Sequence, residues 1–240
     1  VSWHLGRMAA FDTETTGIDR ETDRIVTAAV ILLGGDEPAE THTWLANPGI
    51  DIPAGATAIH GITTEHAREH GRPAVEVVAE VSTLLAKQIV NGVPLVVMNA
   101  TYDLTLLDRE LSRHQLPSLL EQANLREPDV IDPLVIDRGL DPYRPGKRRL
   151  TDLAAHYGVT LDDAHNAAAD AIGAARVAWM QAARTPSLQL GTAAIHLRQE
   201  HWAREWAANY QQYLRSKGKS DAIVDGRWPM IPRQQDGGMR

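Results

Sequence analysis

Asp12 and Glu14 stand two residues apart behind the apolar run Met8 to Phe11, and on a strand that spacing points both carboxylates to the same side. Such a pair can share one cation. Two carboxylates at a buried strand end otherwise cost on the order of several kcal/mol in repulsion and desolvation, although a strand end open to water relieves the same cost. Asp103 follows a second apolar run, Leu95 to Met98, where a strand gives way to a helix. It reads there equally as a helix cap or as a third acid. Asp170 lies among Ala167, Ala168, Ala169 and Ala171, small residues that let a helix approach a sheet closely, and packing does not explain an acid on that face. His165 precedes Asp170 by five residues, or ~140° around a helix, so the two cannot face one target from the same helix. His165 therefore belongs to the preceding loop, where an imidazole that titrates near neutral pH can act as a base toward water.

These residues need a frame. Met8 to Asp12, Arg24 to Leu33 and Thr41 to Ala46 read as a three-stranded meander, with turn residues Gly17 to Asp23 and Asn47 to Gly49 between and after them. An amphipathic helix from Pro73 to Lys87 follows, then a strand at Leu95 to Met98 and a helix carrying Leu106, Leu107 and Leu111. Val130 and Ile131 form a fifth short strand, Leu150 to Tyr157 a helix, and Ala167 to Ala183 a long Ala-rich helix. Three strands followed by alternating strands and helices predict an α/β domain with a mixed five-stranded sheet and about four helices, ending near Arg184.

Composition narrows the chemistry. The chain of 240 residues has no cysteine, which excludes disulfides, thiolate ligands and a Cys nucleophile. Any metal must use oxygen or nitrogen. The longest apolar stretch, Ile25 to Leu33, is far short of the ~18 residues of a membrane span, and with no signal-peptide pattern a cytoplasmic protein is expected. The formal net charge of −7 is uneven: residues 1–184 carry −10 and residues 185–240 carry +3. Acid is concentrated where the candidate carboxylates lie. His66 and His70 share a helix face but lack a third ligand, Gly34-Gly35 lacks the Lys-Ser/Thr of a phosphate loop, and no nucleophile elbow is present.

Taken together, Phe11-Asp12-Thr13-Glu14-Thr15-Thr16-Gly17, the segment Asn99 to Asp103, and His165-Asn166-Ala167-Ala168-Ala169-Asp170-Ala171 resemble the three signatures of the DEDDh exonucleases, the DnaQ-like proofreading group. The likeness covers about residues 7–180 in family order. It implies a ribonuclease H-like fold and metal-dependent 3′-to-5′ removal of nucleoside monophosphates from single-stranded DNA ends, in proofreading or repair. It further implies that Asp12, Glu14, Asp103 and Asp170 hold two divalent ions, Mg²⁺ or Mn²⁺, and that His165 is the general base. His60-Gly61-Ile62 resembles the segment that wedges against the terminal nucleotide. Tyr102 stands where the family often has Phe, and the Thr15 to Gly17 backbone corresponds to the part that lies along the last nucleotide. His60 and Gly17 read equally as turn residues. The basic loop Lys147-Arg148-Arg149, flanked by Asp132 and Asp152, reads as a solvated run or as a contact to upstream phosphates.

RNA-trimming relatives share the fold and the acids, so an RNA substrate is the nearest alternative. Residues 185–240 read as a C-terminal helical extension: Ile195, Trp202, Trp206 and Tyr213 fall on one stripe, Arg215 to Ser220 forms a polar linker, and Gly226 to Arg240 an irregular tail. The stripe docks the helix onto the domain, or binds a polymerase or a second copy of the chain.

Overall fold

The computed structural model describes residues 2–124, 128–161 and 166–233. After a short 3-10 turn (Trp3–Leu5) come β1 (Arg7–Thr15), β2 (Ile25–Gly34) and β3 (Glu40–Asn47). β1 and β2 are interior strands covered on both faces, which is why they read as nearly continuous apolar runs, whereas the outer β3 alternates. The chain continues through α1 (Ala54–His60), α2 (Thr64–His70), β4 (Arg72–Pro73) and α3 (Ala74–Val90). Then follow β5 (Leu95–Val96), α4 (Ala100–Arg113), α5 (Leu119–Ala123), β6 (Val130–Ile131) and α6 (Pro133–Leu140). α7 (Leu150–Tyr157), α8 (Ala167–Arg184) and α9 (Thr192–Ser216) complete the order.

The strands form one mixed sheet, β4-β3-β2-β1-β5-β6, with β1, β2 and β3 antiparallel and β5 and β6 parallel to β1. Side-chain alternation along β1 divides the core. Ala9 and Phe11 pack with α3 and α4 through Val77, Leu85, Leu104 and Leu107. Met8 and Ala10 face the alanines of α8, Ala171, Ala175 and Ala178, together with Ile195 of α9. Small side chains let α8 lie close against the sheet.

Six strands are present where five are expected. The additional β4 pairs Arg72 and Pro73 with Ala46 and Asn47, and two residues of that type carry no hydrophobic period. Likewise α1, α2, α5 and α6, at most eight residues each, are too short for a clear amphipathic signal. Asp103 is not a helix cap: Asn99, at φ 62°, is the N-cap of α4, and Asp103 is buried within the first turn.

Residues beyond Arg184 are woven into the sheet edge. Ile195 is fully buried, the His196 Nδ1 accepts from the Val130 amide (3.1 Å), and Gln199 accepts from the Asp132 amide (2.6 Å) and donates to the Val130 carbonyl (2.8 Å). Side chains of α9 thus satisfy the backbone of β6, which would otherwise be an open edge. Gly139 of α6 permits the close crossing, since a β-carbon there would fall 2.1 Å from the Trp202 ring. The expected linker from Arg215 is still helical at Ser216, and the expected irregular tail is packed as far as residue 233. Trp228 is buried, the Ile231 amide donates to Thr105 Oγ1 (3.0 Å), and Arg233 pairs with Asp108 at 2.8 Å.

Candidate active site

Asp12 and Glu14, at even positions of β1, point to the α8 side of the sheet, where Asp170 occupies the first turn of α8. Carboxylate oxygens of these three residues lie within 4.8 Å of one another, and they are the group among the described residues that could hold a metal ion. The α8 N-terminus is anchored by the Asn166 side chain, which accepts from the Ala168 amide (3.0 Å). Its dipole favours a negative charge at Asp170. Asp103 arrives from the opposite face. Thr13, at an odd position of β1, points toward α4 and donates from Oγ1 to Asp103 Oδ1 (2.6 Å). This approach is possible because β5 is short: it pairs only with Ala9 and Ala10, so β1 has no partner on that side beyond Ala10. A bulge at Glu14/Thr15 marks the other edge of the same strand end.

The electrostatics match the crowding. Burial, then the charges of Asp103, Asp170 and Glu14, hold the Asp12 carboxyl well above the usual carboxylate range. Burial likewise pushes Asp103 up to about 7, against the Thr13 hydrogen bond, with the Asp132 charge adding to the rise. Hard divalent cations prefer such oxygen donors, and a bound cation removes the repulsion that raises these values. The donor set fits the expected ions.

The residues expected on the substrate side divide into two groups. Thr15 and Tyr102 are joined: the Tyr102 hydroxyl donates to the Gly17 carbonyl (2.5 Å) and lies 2.8 Å from Thr15 Oγ1, which itself donates to the same carbonyl (2.6 Å). Gly17 packs against the Asp23 carboxylate that ties down the loop: a β-carbon there would lie 2.5 Å from it, so a larger residue would have to displace that carboxylate from Thr16 and Asp19. His60 and Ile62 line a cavity of about 290 Å³ whose walls also include Glu14, Trp44 and Asn166. The 60–62 turn is held by the Ile62 amide donating to His60 Nδ1 (3.2 Å), with Gly61 at φ 78°. Burial lowers the His60 pKa. The structure thus brings His60 and Ile62 beside Glu14, and Tyr102 beside the turn that follows it. His165 lies outside the described residues; the helix that follows starts at Ala167, capped by Asn166.

Residues 9–178 match the model of the RNase T-type exonuclease family. The chain belongs to the exonuclease family. Among related sequences, the PolC-type DNA polymerase III of Streptococcus thermophilus is 30% identical over 168 residues, covering 70% of this chain and 10% of the polymerase. That of Streptococcus pneumoniae is 31% identical over 169 residues, with the same coverage. The chain therefore spans about a tenth of these relatives. Among solved structures, Escherichia coli exonuclease I with a dA16 oligonucleotide superposes at TM-score 0.62 and 22% identity, over 76% of this chain and 42% of that one. The zinc-bound form of that enzyme's complex with single-stranded DNA gives 0.63 and 21% over 92% and 46%. Exonuclease I of Methylocaldum szegediense gives 0.60 and 23% over 76% and 42%. These likenesses establish the exonuclease fold, and none of the described helices is long and apolar enough to cross a membrane.

Two residues that shape this acidic cluster have weak sequence signals. Thr13 reads only as the middle of a motif, yet it anchors Asp103. Asp132 reads as a neighbour of the basic loop, but its carboxylate accepts from the Asn99 (3.0 Å) and Ala100 (2.9 Å) amides of α4, the Leu134 amide (2.9 Å) of α6, and Trp228 Nε1 (3.2 Å). It positions the helix that carries Asp103. The Asp132-Pro133 pair was the available signal, a capping acid before proline. In the basic loop Arg148 turns inward to pair with the buried Asp137, whereas Arg149 pairs with Asp152 at the surface. His66 and His70 have ring centroids 4.7 Å apart, without the further donor of a metal site among the described residues.

The raised carboxyl values carry a sign. An acid whose pKa is higher in the folded than in the unfolded chain makes the fold less stable as pH rises from the unfolded value, about 4, toward the folded one. For Asp103 that window runs to about 7. The increase in melting temperature on adding Mg²⁺ or Mn²⁺ to EDTA-treated protein is therefore expected to be larger at pH 8 than at pH 5. Scanning calorimetry at both pH values checks it; equal increments would separate the carboxylate strain from ion binding.

Proposed function

We propose that this chain is a metal-dependent 3′-to-5′ exonuclease that releases nucleoside monophosphates from single-stranded DNA ends, in proofreading or repair and in the cytoplasm. The observation that carries the reading is the meeting of Asp12, Glu14 and Asp170 within 4.8 Å, with Asp103 brought in beside Asp12. Two ions, Mg²⁺ or Mn²⁺, held by these acids would neutralise the phosphate and lower the pKa of the attacking water. The remaining work falls to the chain itself. Thr13 fixes the Asp103 rotamer, and Asp132 fixes the helix start. Tyr102, braced on Thr15 and Gly17, supplies a rigid ring for an unpaired base, and His60 and Ile62 wall the neighbouring cavity, with Gly61 making the turn between them. Without cations the cluster would repel the backbone, so binding of a reactive end requires the ions first.

The DNA assignment is supported by the likeness to DNA polymerases and to an exonuclease bound to single-stranded DNA. Incubation with 3′- and 5′-labelled oligonucleotides, with and without EDTA, tests reaction, polarity and metal dependence together. Loss of the 3′ label first, only in the presence of metal, is expected. Faster trimming of a matched RNA oligomer would reassign the substrate. His165→Ala is expected to slow turnover by about 10²-fold, in line with a general base, with metal affinity by calorimetry unchanged. A near-normal rate would remove His165 from the mechanism.

A further inference from the structure

We propose that the aromatic row on the outer side of α9, together with Arg138 of α6, is a second binding surface that holds the single DNA strand several nucleotides upstream of the end being cut. The inference rests on the proposed function, in that it takes the acidic cluster to be where the strand ends. Trp206, Tyr210 and Tyr213 stack in sequence, with centroids 5.1 and 6.2 Å apart and both pairs at 17° between planes. Tyr210 and Tyr213 are 40% and 54% exposed. Trp206 is half-buried, and the two tyrosines carry its row of near-parallel rings out onto the surface. At one end of the row the Arg138 guanidinium lies over the indole of Trp206, 3.7 Å from its centroid, and at the other Lys217 Nζ lies 5.6 Å from the Tyr213 ring.

Arg138 is poised for an anion. Its neighbours Arg144 and Arg148 are committed to Asp137, and Arg227 to Asp225, whereas Arg138 forms no ion pair among the described residues. Burial, partly offset by the charges of Asp132 and Asp137, holds its pKa below the ordinary guanidinium value, and a phosphate reaching it would supply the direct pairing it lacks among the described residues. Cations beside flat rings are the combination that grips a single strand, phosphates on the charges and bases on the π-faces.

The surface leads back toward the helix start that carries Asp103. A cleft of about 210 Å³ starts at Asn99 and Thr101, on the turn of α4 that also carries Tyr102 and Asp103, and runs past Arg20 and the Arg227–Asp225 pair, with Asp132 in its wall, to Arg138 and Trp206. The next hollow, about 290 Å³, shares Arg138 and Trp206 and adds Tyr143, Tyr210 and Tyr213. The first cleft includes Arg20, Asn99 and Asp132, which follow β1, β5 and β6, the carboxyl ends of parallel strands where ligands bind. The cations at both ends of the row, Arg138 and Lys217, and the cleft's start on the helix that carries Asp103 favour a DNA strand over a second copy of the chain.

The test uses the full-length Asp12→Asn chain in Mg²⁺, so that the probe survives, and fluorescein-labelled oligothymidylates of about four and about sixteen nucleotides, read by anisotropy. The longer probe is expected to bind about tenfold or more tightly than the shorter, and Tyr210→Ala/Tyr213→Ala to abolish most of that gain. The matching Phe double variant keeps the rings and is expected to keep the gain. Both tyrosines are exposed, and equal melting temperatures of the variants establish that each is folded. No length-dependent gain, or a gain that survives alanine, would overturn the proposal. So would sedimentation showing a dimer that the alanine variant dissociates, which would give the surface to a second copy. Digestion by the unsubstituted chain tests the exonuclease reading separately: length-dependent binding that needs the tyrosines can succeed or fail whether or not that digestion occurs.

Discussion

Replacing Asp12 with asparagine is expected to lower exonuclease turnover by about 10³-fold or more, equivalent to about 4 kcal/mol of transition-state stabilisation. Asp12 is the acid on which the other three converge, and its neighbours Glu14, Asp103 and Asp170 all bear on its charge. Asparagine keeps the shape and removes the anion, so both ion affinity and the field at the phosphate fall. The same substitution is expected to have the opposite effect on stability. In EDTA at pH 8 the Asp12→Asn chain should melt above the parent, because a carboxylate held in its unfavourable state by burial and by like charges has been neutralised. Activity in gel assays and melting curves on the same preparations check the pair of signs. Turnover within a few fold of the parent would show that Asp12 is not a ligand of the reacting ions. An unchanged or lower melting temperature would show that its charge is relieved by other means.

Truncation after Arg184 is expected to abolish cooperative folding. The removed segment buries Leu188, Ile195, Trp228 and Ile231, each contributing about 1.5–3 kcal/mol on full burial, against a typical total stability of about 5–15 kcal/mol. It also removes His196 and Gln199 from the backbone of β6, leaving the sheet edge without its side-chain partners. Loss of Trp228 takes one donor from Asp132, the carboxylate that holds the α4 N-terminus. Circular dichroism on heating the 1–184 fragment, with its solubility, measures the outcome. A sharp transition and retained digestion would instead establish residues 1–184 as a domain that folds alone, and would free α9 for a polymerase or another partner.

What the amino-acid order determines is clearest where a local rule is strong. β1 and β2 are apolar runs ended by turn residues, α7 and α8 start and stop within a residue of their expected bounds, and Val130–Ile131 is a strand as expected. Asp12 and Glu14 share a face because strand alternation has period two, and Asp170 joins them because an alanine face must lie against a sheet. These facts are legible because each depends on neighbours within a few positions.

The remainder depends on contacts distant in sequence. That Asp103 is bound by Thr13 rather than capping a helix follows from the early end of β5, which no residue in α4 announces. Gly17 lies against the carboxylate of Asp23, six positions away, a contact no local rule announces. Asp132 gathers amides from two helices and an indole ninety-six residues further on, and the C-terminal tryptophans divide between packing and display. A side chain's identity limits the hydrogen bonds and charges it can carry. Which partners it meets is decided by the packing of whole elements, since burial makes every unpaired polar group costly and so selects the arrangement that satisfies the most of them at once.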